Sequence, residues 1–239
     1  MEYENYFVAF VDILGFKNMV YKYSRDEIFK IFSKGFKTHL VGGHYNGESI
    51  INAEDIKYKT MSDSIVFYVK ENAKNALLGL LATCSIFQGQ LLLMNPRILT
   101  RGGVSYGQFC IDGDIMFGPA LTSAYLLENE NAKYPRIIMN HSLLLEHGNN
   151  LCYSMVFEDE DLFWSVNYLW AIQNRYETGN KDIQSLSKYV STVLDSATDS
   201  SIREKHLYLR RKINNLYVKT LLENKAKDET NKSEEATNA

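Results

Sequence analysis

The order of apolar and polar positions predicts a first strand that carries an unusual charge. Residues 7–16, FVAFVDILGF, form an apolar run that is interrupted only by Asp12 and by Gly15 near its end. Such a run is typical of a buried strand, and the glycine indicates a tight exit into a helix. Because burying a lone carboxylate costs several kcal/mol, we expect Asp12 to meet a cation, a group of donors or a metal. The alternative is that Asp12 caps the helix that follows.

A second strand-like stretch predicts a hairpin with another carboxylate at its tip. Residues 57–69, KYKTMSDSIVFYV, have alternating, β-branched and aromatic positions on both sides of the segment Met61–Ser64. This pattern suits two antiparallel strands joined by a turn. The sequence therefore predicts a hairpin over about residues 54–69, with Asp63 in its turn.

The remaining periods predict an α+β domain followed by a helical part. The further predicted elements are helices at 21–40, 72–93 and 118–128, a strand pair at 97–111, and short strands at 136–140 and 152–157. This order predicts an antiparallel sheet with helices on one face, in a domain of residues 1–160. Residues 161–225 have helical periods and predict a helical appendage. Residues 226–239 are polar and lack aromatic side chains, which predicts a disordered tail.

The composition indicates an ordinary globular protein and excludes some classes of function. Of the 239 residues, 45% are hydrophobic and 23% are charged, which suits one full core with an appendage. The net charge of −3 opposes broad nucleic-acid binding, because no basic excess exists to release counterions from phosphates.

We expect neither a targeting segment nor a membrane span. The first residues, MEYEN, lack a basic region, and no apolar run approaches the roughly 20 residues that a span needs. Cys84, Cys110 and Cys152 are widely spaced and odd in number, which suits a reducing compartment. The sequence therefore predicts a cytoplasmic protein that binds neither membranes nor nucleic acids.

Two short motifs resemble those of class III nucleotidyl cyclases. Residues 12–16, DILGF, resemble the pattern D-I-x-G-F, and residues 59–64, KTMSDS, resemble K-T-x-G-D. The resemblance implies a ferredoxin-like antiparallel sheet in which Asp12 and Asp63 are the catalytic carboxylates. It also implies two divalent ions, Mn²⁺ or Mg²⁺, that are held by these carboxylates and by the backbone carbonyl of Ile13.

The same resemblance assigns the contacts of a nucleoside triphosphate. The backbone amides of Leu14, Gly15 and Phe16 lie at a predicted helix start, where they can donate to phosphate oxygens. Arg101 begins a stretch, RGGVSYG, that resembles the family's R-x-G-x-x-x-G strand. The resemblance implies that Arg101 binds the triphosphate; the alternative is an exposed salt bridge. Residues 118–128 resemble the family's G-x-x-V-N-x-A-x-R-x-E helix.

The departures from the pattern concern the base and the transition state. Lys59 matches the lysine that reads a purine ring, but Ile115 stands where its aspartate partner belongs. Thr122 and Leu126 stand where the family's transition-state Asn and Arg belong. Because leucine cannot stabilise a developing negative charge, either another group does so or the protein is inert.

Within the family, the sequence most resembles the bacterial Pycsar pyrimidine cyclases, which share DILGF, the altered helix and a helical C-terminus. These are antiphage enzymes that make cyclic UMP or cyclic CMP, which switches on a separate effector. By this resemblance, Tyr58 beside Lys59 contacts the smaller base; the alternative for Tyr58 is core packing.

The sequence thus predicts a metal-dependent cyclase that converts UTP to 3′,5′-cyclic UMP and pyrophosphate. CTP as substrate, a purine cyclase and an inert nucleotide-binding regulatory domain stay open as alternatives. Lys59 and Asp63 are four residues apart, about 13 Å along a strand, which is far for the two ends of one nucleotide. We therefore expect a homodimer with its sites at the interface, as the family resemblance also implies.

Overall fold

A sheet of eight strands organises residues 1–177, the larger of the two units into which the chain divides. The structure, a computed structural model, describes residues 3–37, 44–45, 48–49, 53–149, 151, 153–175 and 178–237. The sequence pattern predicts the end of the first domain at residue 160, which is earlier than this division. The difference arises because Trp164–Val166 adds a strand to the sheet and Tyr168–Gln173 is a helix of the same unit.

The strands pair mainly as antiparallel neighbours around a central first strand. In chain order they are β1 Glu4–Ile13, β2 His44–Tyr45, β3 Glu48–Ser49, β4 Lys57–Met61, β5 Ser64–Lys70, β6 Thr100–Asp112, β7 Ile115–Phe117, β8 Ile137–Met139, β9 Val156–Glu158 and β10 Trp164–Val166. The sheet order is β4-β5-β1-β6-β8-β10-β9, with β7 paired to β6, while β2 and β3 form a separate pair. Strands β6 and β8 are parallel.

Eight α-helices accompany these strands in the described residues. They are α1 Phe16–Lys22, α2 Arg25–Lys37, α3 Ala76–Leu93, α4 Pro119–Leu126, α5 His141–His147, α6 Tyr168–Gln173, α7 Gly179–Ser196 and α8 Ser200–Thr237. The first six belong to the larger unit, and the last two form the smaller one.

Both faces of β1 are buried, which explains why its sequence is apolar without alternation. Side chains at odd positions, from Phe7 to Ile13, lie in a core cluster with α3. Those at even positions, from Tyr6 to Phe10, lie in a second cluster with Ala120 and Ala124 of α4. The predicted α+β class is confirmed, with helices on both faces of the sheet rather than on one.

Helix α3 is the core helix of the larger unit. Among the described helices it is the one that is long and apolar enough to cross a membrane, with a mean hydropathy of 1.7 over 18 residues. This corrects the expectation that no apolar run approaches that length. However, 72% of the helix is buried inside the fold, and Leu80, Leu81, Cys84 and Phe87 are almost fully enclosed. Its apolar character therefore reflects packing against the sheet.

A π-helical turn, Leu127–Asn131, follows α4 directly and lies close to β6. A Cβ on Gly103 would lie 2.3 Å from the carbonyl oxygen of Ala124 and 2.6 Å from the Leu127 Cβ. Only glycine permits this approach. Because π turns occur frequently at functional sites, the polar side chains beside this turn are candidates for a functional site.

The smaller unit is a pair of helices, α7 and α8. The rings of Tyr189 and His206 join them, with the Tyr189 hydroxyl 3.3 Å from His206 Nε2. Helix α8 runs to Thr237 and so includes most of the 226–239 segment for which the composition predicts disorder. Lys, Glu and Ala in that segment are good helix formers. Side chains beyond residue 218 lie outside the described part of the chain.

Candidate active site

The hairpin turn and the end of β1 bring Asp12 and Asp63 to the same end of the sheet. Asp12 pairs with Ser64 in the register between β1 and β5. The Ile13 amide donates a hydrogen bond to the Asp63 carbonyl oxygen at 3.0 Å. Ser62 makes the turn tight, since its φ of 56° is in the left-handed region. Two acidic residues that are distant in sequence therefore meet at one position in the fold.

Partial burial makes the ionised form of the Asp12 carboxylate less favourable. Its side chain is 18% exposed. Burial raises the pKa of Asp12 above its usual value, the Arg101 guanidinium opposes this rise, and the charge of Asp63 adds to it. Because the net shift is upward, an additional cation would stabilise the ionised carboxylate.

Arg101 faces Asp12 directly across β1 and β6, where the two are register partners. Arg101 Nε donates to Asp12 Oδ2 at 3.5 Å. The same Nε lies 2.7 Å from Glu128 Oε1. The exposed salt bridge considered as an alternative for Arg101 is not what the structure shows, because Glu128 is buried. Arg101 is instead held in a partly buried ion pair, and its contact with a triphosphate stays a prediction.

Glu128, in the π-helical turn, is a site residue that the sequence analysis did not single out for chemistry. Its side chain is only 4% exposed. Burial raises the pKa of Glu128 to about 7; Arg101 opposes this shift, and the charges of Asp12 and Asp63 add to it. A signal was present in the sequence, since Glu128 stands at the last position of the family's helix pattern over residues 118–128.

The donor set at this end of the sheet fits divalent cations only together with substrate oxygens. The described residues contain no group of three or more His, Cys, Asp and Glu side chains that could hold a metal ion. Mg²⁺ is usually bound by one or two carboxylates, with water and substrate phosphates as its other ligands. Asp12 and Asp63 provide two such carboxylates, and Ile13 adds a backbone carbonyl between the strand and the turn.

The backbone amides predicted to hold phosphates are only partly open to a ligand. The Leu14 amide donates to the Leu99 carbonyl oxygen at 2.9 Å, so it is already occupied, which corrects that part of the prediction. Gly15, with φ of 78°, turns the chain into α1. The ring of Phe16 packs on Phe32, with ring centroids 5.7 Å apart. Phe16 can therefore offer only its backbone to a phosphate.

Lys59 has a carboxylate partner, although not at the position that the resemblance suggested. Ile115 occupies that position and is exposed. The residue before it, Asp114, lies in the turn between β6 and β7, with its Oδ1 2.8 Å from Lys59 Nζ. The hydrogen bond to Asp114 raises the pKa of Lys59, so the lysine stays charged. The structure therefore contains the Lys–Asp pair that the sequence seemed to lack.

Tyr58 does not share a face of the sheet with Lys59, so the two side chains do not approach a base from the same side. Tyr58 pairs with Phe67, whereas Lys59 pairs with Val66 on the α4 side. Adjacent strand residues project to opposite faces. The Tyr58 ring lies 6.2 Å from the ring of Phe67, which belongs to the α3-side core. Tyr58 is 37% exposed, so it lies at the margin of that core, and its contact with a base stays a prediction.

Thr122 and Leu126 lie on the exposed side of α4. Thr122 Oγ1 donates to the Gly118 carbonyl oxygen at 3.3 Å, as serine and threonine often do in helices. Leu126 is 41% exposed. Neither side chain can replace the charged and amide groups that the family carries there. Of the described residues near the acidic pair, Arg101 is the cation in contact with it.

Solved structures of nucleotidyl cyclases share this architecture. The catalytic core of a rhodopsin-guanylyl cyclase with converted specificity, solved with ATPαS, matches with a TM-score of 0.50 at 14% identity, over 70% of this chain and 97% of that one. The chain has a class III cyclase fold. No protein-family model and no curated protein matches the sequence.

Two further cyclase structures match the chain more weakly. Adenylyl cyclase CyaB from P. aeruginosa gives a TM-score of 0.47 at 12% identity, over 69% of this chain and 94% of that one. The adenylate/guanylate cyclase/hydrolase from Silicibacter pomeroyi gives 0.47 at 13%, over 70% and 98%.

Proposed function

We propose that this protein is a metal-dependent nucleotidyl cyclase that converts UTP to 3′,5′-cyclic UMP and pyrophosphate. The observation that carries the proposal is the meeting of Asp12 and Asp63 at one end of the sheet, in a chain with a class III cyclase fold. CTP, giving cyclic CMP, is the nearest alternative substrate. In this reaction the ribose 3′-hydroxyl attacks the α-phosphorus of the same nucleotide and pyrophosphate leaves.

The side chains of the site have separate tasks in that reaction. Two divalent ions, Mn²⁺ or Mg²⁺, would activate the hydroxyl and neutralise the leaving oxygens when bound. Asp12, Asp63 and the Ile13 carbonyl would hold those ions at this end of the sheet. Arg101 lies between Asp12 and Glu128 and provides a positive charge at this end of the sheet. Its guanidinium is suited to binding phosphate oxygens.

A pyrimidine substrate is favoured by the resemblance to the Pycsar cyclases in the DILGF motif and the altered α4 helix. Thr122 and Leu126 in that helix depart from the purine cyclases. By the same resemblance, the product is an antiphage second messenger that activates a separate effector, and the enzyme acts in the cytoplasm.

A purine cyclase is a second candidate, because the structure provides a specific observation in its favour. Lys59 and Asp114 form an ion pair on the α4 side of the sheet, the same side as Asp12. A donor and an acceptor held together in this way could read the edge of a purine. One argument against a purine substrate was that Ile115 stands where the aspartate partner of Lys59 belongs, and the ion pair with Asp114 removes it. The other argument, Leu126, stays.

We also propose that the active enzyme is a homodimer. Lys59 and Asp12 share a face of the sheet, but β5 lies between their strands. Register and strand spacing separate them by about 12 Å. Tyr3, Ile115 and Phe117 are exposed beside the β6–β7 turn, which is where an apolar surface would suit a second copy.

A product assay separates these candidates. The full-length protein is incubated with Mn²⁺ and each of the four ribonucleoside triphosphates, and the products are resolved by chromatography. Cyclic UMP, or cyclic CMP from CTP, supports the pyrimidine proposal. Turnover of ATP or GTP in preference to UTP and CTP favours the purine candidate. No cyclic product from any of the four would instead support an inert nucleotide-binding domain.

A further inference from the structure

Arg101 contacts two carboxylates, and it lies nearer to the one outside the proposed metal site. Its Nε is 2.7 Å from Glu128 Oε1 and 3.5 Å from Asp12 Oδ2. The register alone favours Asp12, because Asp12 and Arg101 are direct cross-strand partners and opposite charges in such pairs attract. The guanidinium therefore lies where it does because Glu128, in the π-helical turn, attracts it away from Asp12.

The π-helical turn and the residue that follows it each contact the guanidinium at one point. Glu128 contributes its carboxylate, and the Ala132 carbonyl oxygen accepts a hydrogen bond from Arg101 Nη1 at 3.5 Å. The Ala132 amide donates to the carbonyl oxygens of Leu127 and Glu128, at 3.1 and 3.2 Å, which closes the turn. Because Glu128 is almost fully buried, solvent and salt screen its charge weakly.

We propose that Glu128 is a positioning residue that keeps Arg101 from pairing fully with Asp12, so that Asp12 stays open to a divalent cation. This inference rests on the proposed function, in which Asp12 and Asp63 bind the metal ions. Without the Glu128 carboxylate at its present distance, the guanidinium would move onto Asp12. A metal ion would then compete with Arg101 for the same carboxylate and bind more weakly.

The test has to separate the position of the Glu128 carboxylate from its charge, because loss of a negative charge alone would also weaken cation binding. Glu128→Asp keeps the charge but shortens the side chain by about 1.5 Å, so the contact with Arg101 is lost. Glu130→Gln is the matched control: it removes a charge from an exposed position of the same turn. The double variant Arg101→Met with Glu128→Gln removes both members of the pair.

The first measurement needs no metal. In the ¹⁵N NMR spectrum of the full-length protein, the Arg101 Nε–H signal is assigned by its disappearance in Arg101→Lys. We expect Glu128→Asp to shift this signal, because the carboxylate that lies 2.7 Å from Nε moves away, and Glu130→Gln to leave it in place. Circular dichroism and the thermal midpoint confirm that each variant is folded.

The second measurement is the affinity for Mn²⁺ alone, from the free-ion signal in electron paramagnetic resonance. We expect Glu128→Asp to weaken Mn²⁺ binding about tenfold, as loss of a residue that orients a metal ligand commonly does. Glu130→Gln should bind as the wild type does. The double variant should return the affinity to near the wild-type value, because no guanidinium is left to occupy Asp12.

Two results would overturn the inference. One is a Glu128→Asp variant that binds Mn²⁺ as tightly as the wild type, and the other is an Arg101 signal that Glu128→Asp leaves unchanged. A wild-type protein that binds no Mn²⁺ would refute the metal site of the proposed function. It would also refute the inference that Glu128 keeps Asp12 open to a cation. The metal-free spectrum would still decide whether Glu128 positions Arg101.

Discussion

The ammonium group of Lys59 lies 2.8 Å from Oδ1 of Asp114, which is 55 residues later in the chain. The pair joins β4 to the turn between β6 and β7, on the face of the sheet that also carries Asp12. Asp114 is fully exposed and Lys59 is about one-third exposed. Because exposed ion pairs add little to stability, removing this pair should leave the fold intact.

If Lys59 and Asp114 read the base, Asp114→Ala changes the preference among the four nucleoside triphosphates. We expect a change in the ratio of kcat/KM values between substrates, measured in competition, with an unchanged thermal midpoint. Lys70→Ala is the control, since Lys70 forms a similar exposed pair with Glu4 at 2.7 Å at the other end of β5. Equal effects of the two substitutions on substrate preference would remove the base-reading role.

Gly103 is predicted to be intolerant of any side chain. A Cβ there would lie 2.3 Å from the Ala124 carbonyl oxygen and 2.6 Å from the Leu127 Cβ, so α4 would have to move away from β6. We expect Gly103→Ala to lower the free energy of unfolding by about 1–3 kcal/mol, measured by urea denaturation. At Gly89 the nearest atom is the flexible Ile172 side chain, at 3.1 Å, so Gly89→Ala should cost less. A larger loss of unfolding free energy for Gly89→Ala than for Gly103→Ala would contradict the close packing of α4 on Gly103.

Arg136 is a buried cation whose loss should destabilise the larger unit. Its side chain is 2% exposed; Nη1 lies 2.6 Å from Asp159 Oδ2, and Nη2 contacts Asp161. Removing the guanidinium leaves Asp159 charged and buried, so we expect Arg136→Met to cost about 3–5 kcal/mol of unfolding free energy. Arg25, which is 93% exposed in its pair with Asp26, is the control for Arg→Met. Similar losses for the two variants would show that Arg136 is not a buried structural cation.

His206 is predicted to make the stability of the protein depend on pH. Burial lowers the pKa of His206 below 6.5, the hydrogen bond with the Ile202 carbonyl opposes this, and Lys205 adds to the lowering. The unfolded chain therefore takes up a proton near pH 6.5 that the folded chain does not. The free energy of unfolding should fall as the pH drops below that value.

Urea denaturation across this pH range tests the effect of His206. His206→Asn keeps a donor for Ile202 but does not titrate, so we expect part of the acid-side loss of stability to disappear. If the free energy of unfolding depends on pH identically in His206→Asn and in the wild type, His206 is not the group that causes this dependence.

The sequence predicted those features that depend on short-range pattern. The apolar run at 7–16 was correctly interpreted as a buried strand, and the hairpin with Asp63 in its turn was found where its residues indicate. Both predictions depend on residues within one or two elements. The antiparallel pairing that brings Asp12 beside the hairpin turn follows from the way such strands form a sheet.

Other features could not be predicted because they depend on contacts between distant elements. Asp114 is one residue from the position that the motif suggested, and only the β6–β7 turn shows that it reaches Lys59. Glu128 is brought to Arg101 by a π-helical turn, which no sequence period announces. The resemblance placed both Tyr58 and Lys59 at the base, whereas the pairing of β4 with β5 puts the two side chains on opposite faces of the sheet.

The central claim is that Asp12 and Asp63 act together in making a cyclic nucleotide. The most direct test measures cyclic UMP and cyclic CMP formed from UTP and CTP with Mn²⁺, for the wild type, Asp63→Asn and Asp26→Asn. Asp26 is an exposed carboxylate of α2 and serves as the matched control. We expect the cyclic nucleotide to form with the wild type and with Asp26→Asn, and not with a folded Asp63→Asn. Undiminished product from Asp63→Asn would contradict the central claim.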